Sequence, residues 1–172
     1  MTWQTFSANG AAYTGYASID IGAPRLDGQS TPRTGWLKRN GGSYSKTTYA
    51  PLWNWALHNG RVVTLGSWAA GAFVFADNGN GTFKLPDNRG EFERVWDDGR
   101  GIDSGRNFGS QQSDDIQSHS HTQRYQVLTN RQSGTGDWFA VSGSTTNGAQ
   151  TGSSGGSETR PRNVALLGTI KF

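Results

Sequence analysis

Glycine constrains this chain more than any other residue: 25 of its 172 positions are Gly. Gly weakens a helix or strand interior by roughly 0.5–1 kcal/mol relative to Ala and supplies the positive-φ positions of tight turns. Long helices are therefore not expected, and short strands between frequent turns are. The aliphatic supply is small as well. Leu, Ile, Val and Phe account for 29 of the 172 residues, under the ~20% at which disorder becomes an alternative. Disorder also calls for high net charge and few aromatic residues, yet the net charge is +3 and aromatic residues reach 12%, with seven Trp. The chain is expected to fold on aromatic packing and to share part of it with identical chains across a subunit interface.

Several function classes fall away on composition. There is no Cys, which excludes disulfides and thiolate metal sites. No run of 18 apolar residues is present, so membrane insertion is not expected. The start MTWQTFSANG has neither a basic n-region nor an apolar h-region, so export by its own secretory signal is not expected. Arg and Lys are scattered rather than gathered into a stripe, which argues against a nucleic-acid partner.

Along the chain, the first twenty residues read as a strand or entry segment carrying Trp3, Phe6, Tyr13 and Tyr16. Short apolar runs follow, separated by GAP, DGQ, NGG and HNG turns. The stretch TTYAPLWNWALHNG predicts a short helix. In it Tyr49, Leu52, Trp53, Ala56 and Leu57 recur at helical spacing, Pro51 sits near the start, and Gly60 follows the end. His58, beside that end, is expected to act as a cation or donor near the last carbonyls. Strands are predicted from Ser67 to Phe83 around the turn DNGNG, with alternation running on to Pro86, and again from Glu91 to Trp96. A long polar loop spans 97–115, TQRYQVLT is a strand candidate, and Asn163 to Phe172 reads as a closing strand.

The segments TGWLKRNGGSYSKTTYAPLW and GNGTFKLPDNRGEFERVWDDGRGIDSGRNFGSQQSD together resemble the phage tail-collar domain. ETRPRNVALLGTIKF is similar to the terminal strand of phage tail fibres. The resemblance covers about half the chain and rests on GWL, TTY, FKLPDNRG, DGRGID, FGS and RPRNVALL as a spaced set. It implies a mainly β fold with one short helix, an α+β collar-like domain, followed by an extended, intertwined trimeric β tip. The implied divisions are an entry segment at 1–20, a collar-like domain at 21–115, and a metal- and receptor-binding tip with the terminal strand at 116–172. It also implies interchain ion pairing for Arg160 to Asn163.

His119 and His121 stand two apart in SHSH, and in an extended strand such side chains share a face. One chain then offers two imidazoles, too few for a closed metal site. Three such strands around a three-fold axis would offer six, which suits an octahedral ion. The resemblance implies this use of the motif, with Fe(II) on the trimer axis and Zn as the substitute; a solvated loop is the alternative.

Paired acids are the first sign to seek of an enzyme that cleaves glycans. Glu91 and Glu93, Asp97–Asp98 and Asp114–Asp115 qualify by spacing alone, but nearby Arg89, Arg94, Arg100 and Arg106 favour ion pairing or turns. Ser and His near 114–121 lack the strained turn that exposes a nucleophile. The candidate receptor contact is Trp138 with Asp137, Phe139, Arg131 and Asn147, since aromatic faces stack on sugars while polar groups take their hydroxyls. One buried strand, DWFAV, is the competing reading of that stretch.

The expectation is a non-enzymatic homotrimeric receptor-binding protein at a tail-fibre tip, part of the virion and assembled in the bacterial host cytoplasm. Its expected partners are other tail-fibre or baseplate proteins and a surface polysaccharide such as lipopolysaccharide. The alternatives are a tail-spike-like depolymerase and a purely structural collar component.

Overall fold

The computed structural model describes residues 1–119 and 158–172. Two units are distinguished: Met1–Ser113 with Asn163–Phe172, and Asp114–Arg162. The described fold is mainly β with one short α-helix, as the glycine content and the TTYAPLWNWALHNG spacing imply.

The first unit begins with a hairpin, β1 (Thr2–Phe6) against β2 (Tyr13–Ala17), in which Trp3 faces Tyr16 and Phe6 faces Tyr13. Strand alternation divides its faces. Phe6 and Ala17 are buried, while Trp3 and Tyr16 are exposed. The first twenty residues are thus a hairpin of this same unit.

The helix α1 (Ala50–His58) has Pro51 in its opening turn and buries Leu52, Trp53 and Ala56. It ends in a Schellman arrangement: Gly60 N donates to Leu57 O at 2.9 Å and Arg61 N to Ala56 O at 2.8 Å. His58 differs from expectation, because its Nδ1 accepts from Ser7 N and Ala8 N, at 3.3 and 3.1 Å. The hairpin connection brings these two amides to the ring, so the imidazole acts as an acceptor. The side-chain donors at the helix end are Asn59 Nδ2, 2.8 Å from Trp55 O, and Asn9 Nδ2, 3.0 Å from His58 O.

A three-stranded antiparallel sheet has the order β3 (Pro24–Asp27), β9 (Leu167–Lys171), β4 (Trp36–Lys38). The closing strand is therefore central, and its Thr169 and Ile170 are fully buried. A second sheet has the order β5 (Ser43–Ser45), β8 (Thr82–Lys84), β7 (Phe75–Asp77), β6 (Val62–Val63), with β6 and β7 parallel. β7 and β8 form the hairpin expected around DNGNG.

The core is aromatic, as the composition requires. Leu52, Phe75, Phe83, Leu85 and Ile170 are fully buried, and Trp53 lies 5.3 Å from Phe83 while Tyr49 lies 4.9 Å from Phe172, centroid to centroid. Each such side chain contributes roughly 1.5–3 kcal/mol by burial. This part of the aromatic packing closes within one chain. Other apolar residues of the same unit stay exposed, including Phe92, Val95, Ile102, Phe108 and Val164.

The strand expected from Glu91 to Trp96 does not form. Alternation alone cannot make a strand without a neighbour to pair with: Val95 is 92% exposed, and Glu93 turns to Arg39 and Arg94 to Asp103 instead. TQRYQVLT lies outside the described residues. Among the described residues no helix is long and apolar enough to cross a membrane.

Candidate functional site

Three segments distant in sequence meet at the guanidinium of Arg39. Strand β4 delivers Arg39, whose backbone N donates to Gly168 O of β9 at 2.9 Å. The turn after Pro86 delivers Asn88, which accepts from Arg39 Nη1 at 3.3 Å and donates to Gly71 O at 3.0 Å. Arg39 Nη2 pairs with Glu93 Oε1. The Arg39 side chain is only 3% exposed, and its Nε has no hydrogen-bond partner. An orphaned buried donor costs about 1–3 kcal/mol, so this arrangement is held by what surrounds it.

A cleft of about 710 Å³ opens beside this cluster, within the size range of small-molecule sites. Its far wall is the segment that follows Asn88, which carries no strand or helix but is internally braced. Asp97 Oδ2 accepts from Gly101 N at 2.8 Å, and its Oδ1 accepts from Ile102 N at 2.8 Å and Asp103 N at 3.2 Å. Those backbone donors, Gly101 first, hold the Asp97 carboxyl below its ordinary pKa. The DDGRGID motif is thus a turn closed on an aspartate.

The same bracing orients Trp96 and Asp103. Trp96 Nε1 donates to Arg106 O at 3.1 Å, and its ring meets Phe108 edge-on with centroids 5.4 Å apart. Arg61 lies 4.7 Å over the Phe108 ring and donates to Phe108 O at 3.1 Å. Arg106 donates to Asp103 Oδ2 at 3.0 Å and Gln112 Oε1 at 2.8 Å. The bond from Arg106 is the main cause of a lowered Asp103 pKa. Across the cleft, Trp55 packs over Gly22, where a Cβ would stand 2.3 Å from the indole.

The acid pairs are distributed by these contacts. Glu93 goes to Arg39, Asp97 closes the turn, and Asp114 accepts from Thr159 N at 3.2 Å. Arg160 pairs within the chain, 2.7 Å from Glu158. Among the described residues no group of three or more His, Asp or Glu is placed to hold a metal. His119 is described, and its Nδ1 lies 3.1 Å from Gln117 O. His121, Arg131, Asp137, Trp138, Phe139 and Asn147 lie outside the described residues.

The cleft residues Arg39, Asn88, Trp96 and Phe108 are absent from the sequence-derived site. Only aromatic residues recurring through a Gly-, Asp- and Arg-rich stretch could have signalled them, as Phe92, Trp96 and Phe108 do.

No family model matches the chain, and no solved structure matches it. It is 37% identical over 105 residues to StfE, an uncharacterized protein of Escherichia coli (strain K12). The match covers 61% of this chain and 46% of StfE, so the chain spans about half the length of the curated relative it matches.

Proposed function

We propose that this chain is the receptor-binding end of a phage-type tail fibre, a homotrimeric adhesin that attaches a virion to a bacterial surface glycan such as lipopolysaccharide. The observation that carries the proposal is the convergence at Arg39. GWLKRN, FKLPDNRG and the terminal VALLGTIKF, three separated parts of the resemblance to tail-collar and tail-fibre sequences, meet in one buried cluster. The relationship to StfE supports it too, because a bacterial genome is a setting in which phage-derived genes reside.

Trimerisation is supported by apolar side chains that one chain leaves in water away from the cleft, Val164 at 81% and Leu26 at 51% exposure among them. In the trimer His119 and His121 of each chain would hold a divalent ion, Fe(II) or Zn, on the axis. The contact of His119 Nδ1 with a backbone carbonyl fits that role, since ligating imidazoles are commonly oriented through their second nitrogen. Trp138, Asp137, Phe139, Arg131 and Asn147 are the proposed receptor contacts, and other fibre or baseplate proteins the proposed partners.

Binding without cleavage is the favoured mode. Asp97 and Asp103 are both held below the ordinary carboxylate range by their donors, so neither is suited to the general-acid role of a glycosidase.

The test is adsorption of the purified chain to bacterial cells, with its mass measured by analytical ultracentrifugation. Saturable adsorption by a trimer, without release of reducing ends from the purified surface polysaccharide, is expected. A non-adsorbing chain, a monomer, or release of reducing ends would reject the corresponding part.

A further inference from the structure

We propose that the cleft between Trp96–Phe108 and Trp55 is a second saccharide site, which takes a short neutral pyranose oligosaccharide. The choice of a saccharide rests on the adhesin reading above, and the cleft residues are not among the receptor contacts proposed there.

The aromatic component is fixed before any ligand arrives. Trp96 is 44% exposed and Phe108 51%, yet the indole is tied to Arg106 O and the Phe108 ring is covered by Arg61. Such rings present apolar surface with little conformational entropy left to lose, which favours stacking against the C–H face of a pyranose.

The polar component matches hydroxyl groups. Asp20, Glu91, Asn107 and Gln111 line the cleft, and their side chains make no hydrogen bond or ion pair among the described residues. Carboxylates accept from hydroxyls, and amides both donate and accept.

The charge pattern selects among sugars. Four acids and four arginines line the cleft. Arg39 is committed to Glu93, and both Arg94 and Arg106 to Asp103. Arg94 and Arg106 share that one carboxylate and Arg61 lies over Phe108, so Asp20 and Glu91, the acids without an arginine partner, leave the lining neutral in formal charge. A lining of zero formal charge gives an anionic sugar no net attraction to offset its desolvation and sets it beside Asp20 and Glu91, whereas a neutral sugar carries no such cost.

The full chain is titrated with maltotriose, cellotriose and tri-N-acetylchitotriose, with trigalacturonic acid as the anionic comparator. Binding is followed by tryptophan fluorescence and saturation-transfer NMR. At least one neutral trisaccharide is expected to bind saturably, with trigalacturonate at least about tenfold weaker. Trp96→Ala should weaken that binding about tenfold. Glu91→Gln, at an exposed side chain outside the core, should also weaken it and serves if Trp96→Ala misfolds.

Absence of saturable binding by all three neutral sugars overturns the proposal. So does preference for trigalacturonate, or binding unaffected by Trp96→Ala and Glu91→Gln in folded protein. The two readings fail separately. Loss of cell adsorption in wild type rejects the adhesin while trisaccharide binding is still measured, and adsorption without trisaccharide binding rejects only the cleft.

Discussion

The guanidinium of Arg39 lies flat against Gly168: a Cβ there would stand 3.2 Å from Nη2 and 3.4 Å from Nε. A side chain at that point of the closing strand would press on the guanidinium, which its bonds to Asn88 and Glu93 hold in place. Gly168→Ala should therefore destabilise the protein by about 1 kcal/mol, as overpacking of a well-filled site does. Arg39→Ala should cost about 2 kcal/mol or more, short of the full cost of breaking a buried pair because Glu93 is half exposed. Equilibrium urea unfolding of both variants checks this, and unchanged midpoints would show that the cluster does not hold β9 in place.

Gly22 meets two demands at once. Its φ of +79° disfavours any residue with a side chain, and a Cβ would stand 2.3 Å from the Trp55 indole. Gly22→Ala should cost more than about 2 kcal/mol, combining backbone strain with a clash that only movement of Trp55 relieves. Because Trp55 lines the cleft, near-ultraviolet circular dichroism should change with the melting temperature. A lower melting temperature with an unaltered tryptophan signal would contradict the clash.

Asp27 is buried and paired. Arg33 Nε and Nη2 donate to its carboxylate at 2.8 and 3.2 Å, and Arg25 stands 3.9 Å away. The Arg33 hydrogen bond is the largest cause of its lowered pKa, while burial acts in the opposite direction. A carboxyl with a folded pKa below its unfolded value of about 3.9 stabilises fully above that value and loses its contribution as pH falls through the folded pKa. Asp27→Asn should therefore lower stability at neutral pH and flatten the acid limb of the stability profile. Parallel profiles of wild type and variant below pH ~4 would count against this.

The proposed metal links to assembly. If six imidazoles are available only when three chains meet, metal favours the trimer by mass action. A strong chelator should lower the melting temperature of wild type and leave that of His119→Ala unchanged. Wild-type trimer without stoichiometric metal, or indifferent to chelator, would remove the ion from the proposal.

How much was legible beforehand differs from element to element. The helix was readable because its information is local: the spacing of Leu52, Trp53 and Ala56, Pro51 in the first turn and Gly60 at the end all lie within a dozen residues. The hairpin around DNGNG was readable for the same reason. Glu91 to Trp96 misled, since alternation records a preference for a pleated surface, and only a neighbouring strand converts that preference into a ladder. His58 carried no local sign of its partners, which come from the connection between β1 and β2.

The sequence by itself determined the class of fold: many glycines and few aliphatic residues allow short strands, tight turns and an aromatic core, and little else. Tertiary structure decided where the chemistry gathers. Arg39, Asn88, Glu93 and Gly168 are spread over most of the chain, and nothing local to any of them marks the others. Gly168 reaches Arg39 because β9 inserts between β3 and β4, and Asn88 reaches it because the Asn40–Asp87 bridge and the bond from Asn88 N to Arg39 O lay the segment after β8 beside β4. Long-range strand pairing of that kind is set by burial of Ile170 and Thr169 in the assembled core, a property of the packed whole and not of any segment.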